Sequence, residues 1–201
     1  MNRHESVTLN LAVHNREELL HQLAGNLTDL AVMVRPPEGM DTIAEAFAPH
    51  PYVIVAAPNH PLVRQRNIPL ADLAEEAFVS REKGSDTWNS MQEGFAGRLS
   101  NLRIAMEIKS TETIKQAVIA NMGIAFLSAH TVGLELQAGK LAVLDIQGFP
   151  VMLNWYVVHR KNKRLPPVAL AFKHFLMEEG ATLIQQITGV EGLIRPRAIH
   201  K

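Results

Sequence analysis

Residues 123–128, Gly-Ile-Ala-Phe-Leu-Ser, constrain the fold more than any other stretch of the chain. They follow Ser110-Thr111-Glu112-Thr113, whose hydroxyls suit a helix N-cap, and Ile114, Ala117, Val118 and Met122, which recur at helical spacing. The unit therefore reads as helix, glycine stop and buried strand. A helix of this kind leaves backbone N–H groups unpaired at its start, where an anion can be received. A chain organised around such a unit is expected to be α/β.

The flanking sequence extends the pattern. Val7, Leu9, Leu11 and Val13 alternate with polar or small residues, as in a strand. Asn15 is placed to cap a helix, with Glu18 three residues on, Leu19, Leu20 and Leu23 as its buried stripe and Gly25 as its stop. Residues 27–34 are nearly all apolar, the pattern of a parallel strand covered on both faces, which would complete a βαβ unit. Further strands are expected at 52–57, 77–79, 102–108, 141–144 and 151–159. Ser85 can cap a helix carrying Trp88, Met91 and Phe95, and residues 131–138 form another that ends at Gly139. Residues 161–164 read as a solvated turn. Pro166-Pro167 opens a last helix with Val168, Phe172, Phe175 and Leu176 on one face, kinked near Gly180 and continuing to Ile187. Beyond Gly189 the pattern fades into a loose tail.

Composition narrows the chemistry. Twenty Lys and Arg balance twenty Asp and Glu, so no global field draws the protein to nucleic acid or acidic membranes. Cysteine is absent, which removes disulfides, thiol nucleophiles and Cys-type zinc sites. The start, Met1-Asn2-Arg3-His4-Glu5-Ser6, lacks the apolar core of a secretion signal, and a cytoplasmic location is expected. The nine histidines are scattered, with no pair at one-turn spacing beside a carboxylate, so no metal is expected. Gly-x-Ser-x-Gly elbows, P-loops and dinucleotide glycine fingerprints are all missing, and no cofactor or catalytic set is expected. Lys140, 161–164 and Lys173 form a modest basic scatter without interleaved aromatics, better read as a solvated face.

Anion-binding candidates cluster at predicted helix starts and strand ends. Arg81, Lys83 and Ser85, around Gly84, combine two cations with a capping hydroxyl; the plain alternative is a solvated turn with an ordinary cap. Ser110, Thr111 and Thr113 make a similar case at a second helix start, with capping as the plain alternative. Arg35 follows the run 27–34 at a strand's carboxyl end, where ligands gather in open α/β sheets; a surface arginine before a proline turn explains it equally simply. Ser128 closes the strand after Gly123 at the corresponding place, or caps the next helix.

Several short stretches, in this order, resemble the effector-binding domain of LysR-type transcriptional regulators. They are Asn15-Arg16-Glu17-Glu18-Leu19-Leu20, Leu27-x-Asp29-Leu30-Ala31-Val32, His60-Pro61-Leu62, Leu70-x-Asp72-Leu73 and the run from Ala120 to Leu127. The resemblance covers about residues 7–187 and is nearest to the subgroup that controls carbon-fixation operons, through residues 15–20 and 176–181. It implies two Rossmann-like lobes joined by two crossover strands, periplasmic-binding-protein-like of type 2. Lobe one would be 1–55 with 160–189, lobe two 56–159, and 190–201 a loose tail. It further implies a small anionic metabolite held between the lobes by Arg81, Lys83, Ser85 and Thr111 from one side and Arg35 from the other, and pairing into a homodimer or higher oligomer. The family's helix-turn-helix has no counterpart here, so DNA would be read only through a domain outside these residues. Residues 7–13 match the family's second strand, so lobe one is expected to lack its first strand and helix. A periplasmic-type solute-binding protein shares the two-lobe plan, and the missing secretion signal speaks against it. A small α/β enzyme and a headless partner of intact regulators complete the alternatives.

Overall fold

A computed structural model describes residues 8, 10–95 and 102–190. Its elements mix α-helices and β-strands along the chain. Helix α1 (Arg16–Ala24) precedes strands β1 (Ala31–Met33) and β2 (Thr42–Ala56). Strand β3 (Ala77–Arg81), helix α2 (Asp86–Phe95), strand β4 (Arg103–Ile108), helix α3 (Thr111–Ile119) and strand β5 (Ala125–Ser128) come next. Helix α4 (Gly133–Gln137), strands β6 (Ala142–Val143) and β7 (Val151–Arg160) and helix α5 (Pro167–Thr188) complete it.

One sheet runs in the order β1-β7-β2-β5, with β6 also on β2, while β3 and β4 pair in parallel. The second pair is tied to the first sheet through β5. Ile124 N–H donates to the Ala77 carbonyl at 2.8 Å, and Val79 N–H donates to the Ile124 carbonyl at 2.9 Å. Strands β2 and β7 pair antiparallel from Thr42 opposite Arg160 to Tyr52 opposite Val151. Pairing of β2 with β5 starts only at Tyr52. Pro49 and Pro51, which have no N–H to give a second neighbour, lie just before that point. They also explain why the apolar run beginning at Tyr52 marks only the second half of a 15-residue strand.

The core divides along the length of these strands. At one end Leu23 of α1 packs on Ala31, Met33 and Val158. At the other, one face of β2 carries Tyr52, Ile54 and Ala56 into a cluster with Phe78, Phe95, Ile124 and Phe126. The opposite face carries Val53 and Val55 against Ile114, Val118 and Leu127. Helix α5 lies on β2, and Gly180 makes this possible. A Cβ there would stand 2.8 Å from the Phe47 ring, and Phe47 sits where the β2–β7 register shifts.

Several local expectations are corrected. Residues 8 and 10–13 form no strand, and Leu11 and Val13 are 80% and 92% exposed; Val7 and Leu9 lie outside the described residues. An alternating pattern makes a strand only where a neighbour completes its ladder, and none does so among the described residues. The βαβ unit expected at this end is therefore not formed among the described residues. Run 27–34 shrinks to the three residues of β1, antiparallel to β7, with Val32 outward and Leu27 65% exposed. Helix α1 has its Asn15 cap, the side chain accepting from Glu18 N–H at 2.9 Å. Its left-handed residue is Asn26 (φ 55°), not Gly25. Helix α3 likewise ends before Asn121 (φ 59°), leaving Met122 outside it and 54% exposed.

Gly123 has a different task from stopping a helix. At φ 151° its missing Cβ would lie 2.4 Å from the Ala77 carbonyl oxygen, so only glycine lets β5 reach β3. Helix α5 passes Gly180 without a break. Val168 is 45% exposed and Ala169 is the buried residue of the first turn. Lys163 leaves the solvated turn: its ammonium donates to the Thr28 carbonyl at 2.9 Å and lies 2.9 Å from the Asp29 carboxylate. Past Gly189, Val190 is 1% exposed and anchored with Val132 and Leu141, whereas 191–201 lie outside the described residues.

Gly123→Ala is expected to lower unfolding free energy by about 3 kcal/mol or more, because a backbone oxygen cannot yield as a side chain can. Gly139→Ala, with φ 63° and nothing within 4 Å, should cost about 1 kcal/mol. Urea denaturation of both variants checks the difference.

Candidate functional site

The parallel strands β3 and β4 end at Arg81 and Ile108, and the starts of α2 and α3 stand just beyond them. Arg81 and Thr111 meet there, the guanidinium donating to the Thr111 hydroxyl at 3.1 Å. The same guanidinium grips the Glu82 carboxylate through Nε at 2.8 Å and a terminal nitrogen at 3.0 Å. All three of its nitrogens are thus engaged, and its charge is matched by a neighbouring carboxylate. Ser85 is buried and occupied as a cap: its hydroxyl donates to the Glu82 carbonyl at 2.8 Å and accepts from Trp88 N–H at 3.1 Å. Ser110 accepts from Thr113 N–H at 3.2 Å, which caps α3. Lys83 and Thr113 are exposed.

A second group forms where Arg35, just past β1, meets helix α2. Its guanidinium binds the Glu93 carboxylate and lies 3.4 Å from the Ser90 hydroxyl. Arg35 Nε is buried without a hydrogen-bond partner. Arg16, the first residue of α1, donates to the Arg35 carbonyl and is 3.1 Å from the Asp86 carboxylate. The Arg16 and Asp86 side chains are 17% and 20% exposed, so this pair is sheltered, whereas Glu93 is 67% exposed. Burial pushes the Asp86 carboxyl above its usual range, against the pull of the Arg16 and Arg35 charges. The hydrogen bond from Arg35 draws Glu93 below its usual range. Helix α2 carries both carboxylates on one side, because Asp86, Ser90 and Glu93 recur at i, i+4 and i+7. Its other side presents Met91 and Phe95 to the core.

Tyr52 connects this group to the crossing strands. Thr87 and Ser90 hydrogen-bond to its side chain, and burial raises its hydroxyl pKa. Its ring stacks on Phe126 at 4.8 Å and meets the His50 ring edge-on at 4.7 Å. Ser128 stands opposite Tyr52 across the β2–β5 ladder, so the two side chains share a face, and His50, two residues before Tyr52, shares it too. The Ser128 hydroxyl and His50 Nδ1 are both buried without a partner. His50 also packs on Trp155 and His130, at ring separations of 4.1 and 5.3 Å. Burial, followed by the charge of His130, pushes its pKa down to about 3.

Three buried polar atoms therefore lack partners around Tyr52: Arg35 Nε, Ser128 Oγ and His50 Nδ1. Natural proteins leave few such atoms, and each desolvated group without a bond costs about 1–3 kcal/mol. Among the described residues, no three His, Asp or Glu side chains gather as a metal site.

Of the residues singled out from sequence, the structure brings Arg81 to Thr111 and places Arg35 and Ser128 beside the Tyr52 face. It adds Arg16, His50, Tyr52, Asp86, Thr87, Ser90 and Glu93. The i, i+4, i+7 polar stripe on α2 was the available signal for three of these. Tyr52 and His50 carry no such signal, since their roles follow from the strand pairing.

His50 has a consequence for pH. The unfolded chain protonates it near 6.5, while the folded chain resists protonation down to about 3. Protons thus favour the unfolded state across that interval, and stability falls as pH drops from 6.5 toward 3. The contribution of His50 is a loss of about 1.4 kcal/mol per pH unit through most of that range. Urea melts of the protein and of His50→Phe between about pH 7 and 4 are expected to differ by that slope.

Comparison with known proteins accords with this architecture. The family model of the LysR substrate binding domain matches residues 1–181. A RuBisCO operon transcriptional regulator of Allochromatium vinosum is 44% identical over 181 residues, 90% of this chain and 60% of its own length. The HTH-type regulator CfxR of Cupriavidus necator is 41% identical over 98% of this chain and 61% of its own. The chain thus spans about three-fifths of these relatives, which are transcriptional regulators rather than enzymes. The Synechocystis PCC6803 CcmR regulatory domain, solved in complex with 2-PG, superposes with a TM-score of 0.80 at 38% identity, covering 84% of this chain and 81% of that one. Among the described residues, no helix is long and apolar enough to cross a membrane. The chain belongs to the LysR substrate-binding domain family, beside regulators of carbon-fixation operons.

Proposed function

We propose that this domain binds a small anionic metabolite in a cleft between two lobes, residues 1–55 with 160–189 and residues 56–159. Arg35 and Ser128 are its principal contacts, with His50 and Tyr52 at the floor. Lys83 and Thr113 lie exposed at the starts of α2 and α3, while Arg81, Ser85, Ser110 and Thr111 shape the rim through the bonds they already make. The observation that carries the reading is the set of partnerless buried atoms around Tyr52, one from just past β1, one from β2 and one from the end of β5. A guest bridging them would touch both lobes and so favour one inter-lobe angle. It shifts that equilibrium only by its differential affinity for the two arrangements.

The chemistry asks for negative charge and hydrogen-bonding oxygens. Arg35 and Arg16 supply two cations where β1 and α1 face α2. 2-PG, bound by the CcmR domain, is an apt first probe. Within a longer regulator, the change of angle would pass to a DNA-binding domain in a paired copy, in the cytoplasm.

A thermal-shift titration tests the assignment. 2-PG at about one hundred times its dissociation constant should add about 2.7 kcal/mol and raise Tm by several degrees. Arg35→Gln should abolish the rise, and Ser128→Val should reduce it. A folded wild-type protein with no rise at any concentration would refute the assignment.

A further inference from the structure

The geometry points to Glu93 as a built-in competitor of the bound anion, a carboxylate that closes the cleft by occupying Arg35 until a ligand displaces it. This inference rests on the ligand site proposed above and adds its regulation.

Two ion pairs tie the β1 side to helix α2, and they differ in kind. Arg16 and Asp86 are sheltered, and Arg16 is further fixed by its bond to the Arg35 carbonyl. Asp86 sits in the first turn of α2, where the helix dipole favours a negative charge. Glu93 lies two turns further along the same face. Its side chain is 67% exposed, while the Arg35 side chain it binds is 20% exposed. An exposed carboxylate on a long side chain keeps water within reach and can swing away at little cost. A sheltered one cannot.

The arginine is also incompletely satisfied by its present partners. Glu93 takes one terminal nitrogen and Ser90 approaches the other at 3.4 Å, which leaves Nε buried and unbonded. A planar guanidinium binds best when two parallel N–H groups meet two oxygens of one anion. Glu93 reaches Arg35 from the helix side with one oxygen, so it neutralises the charge without completing the fork. An incoming carboxylate or phosphate can engage Nε and a terminal nitrogen together, releasing Glu93 to water. The Arg16–Asp86 pair then acts as the hinge that stays fastened while Arg35 changes partner.

Two consequences separate this from a plain surface salt bridge. Removing the Glu93 charge should strengthen anion binding rather than weaken the protein, and the gain should fade as salt screens the competition. An anion with two charges should outcompete Glu93 better than one with a single charge.

Calorimetric titration of wild type, Glu93→Gln and the control Glu178→Gln, an exposed carboxylate on α5, tests it with 2-PG and with inorganic phosphate. Exposed pairs of this kind are worth up to about 1 kcal/mol, so Glu93→Gln should bind 2-PG up to about fivefold tighter at low salt. The advantage should shrink at high salt, and Glu178→Gln should match wild type. Binding by Glu93→Gln alone supports the inference in its strongest form. Wild-type binding that Glu93→Gln leaves unchanged or weakens overturns the competitor and spares the ligand site. Absence of binding in both overturns the two together.

Discussion

The antiparallel pairing of β2 with β7 is the constraint on which the rest depends. From Thr42 opposite Arg160 to Tyr52 opposite Val151, this ladder joins the β1 end of the sheet to the end carrying β5. Everything on either side is located by which stretch of these strands it meets. Leu23, Met33 and Val158 pack near one end, and Ile54, Phe126 and Phe78 near the other. Because side chains alternate across a strand, His50 and Tyr52 share a face of β2, and the β2–β5 register places Ser128 on it too. The candidate site is therefore a product of strand register more than of any one motif.

Electrostatics then sets how the two ends of the structure meet. Two arginines on the α1 and β1 side face two carboxylates on α2; the Arg16–Asp86 pair is sheltered, while the Arg35–Glu93 pair reaches water through Glu93. Burial alone would make Asp86 an unfavourable anion, and the nearby arginines hold it in place. The aromatic layer of Tyr52, Phe126 and His50 lies beneath. In that layer His50 Nδ1 is buried without a hydrogen-bond partner, as is the Ser128 hydroxyl on the same face.

Much of the α/β order was legible from sequence, because its signals are local. Asn15 and Ser110 announce their helices by amide or hydroxyl caps, and the alternation of β4 and the apolar run of β5 need no distant information. The errors share one cause. Residues 10–13 and the run 27–34 look like strands, but strand length depends on neighbours that sequence does not reveal. Pro49 and Pro51 concealed the first half of β2, although a strand with a single neighbour tolerates both. From sequence Gly123 reads as a helix stop, whereas its close approach to the Ala77 carbonyl is a tertiary contact that local patterning does not carry. At the site, Arg35 and Ser128 could be picked out as ends of strands. Tyr52, His50 and Arg16 acquire their places only when β1, β2 and α2 are brought together.

A crystal structure of the domain with 2-PG is the most direct measurement of whether the partnerless atoms mark the ligand site. Density for the anion is expected against the Arg35 guanidinium and the Ser128 hydroxyl, lying over the face that carries Tyr52. Density seated elsewhere at full occupancy, with Arg35 Nε and Ser128 Oγ still unbonded, would contradict it.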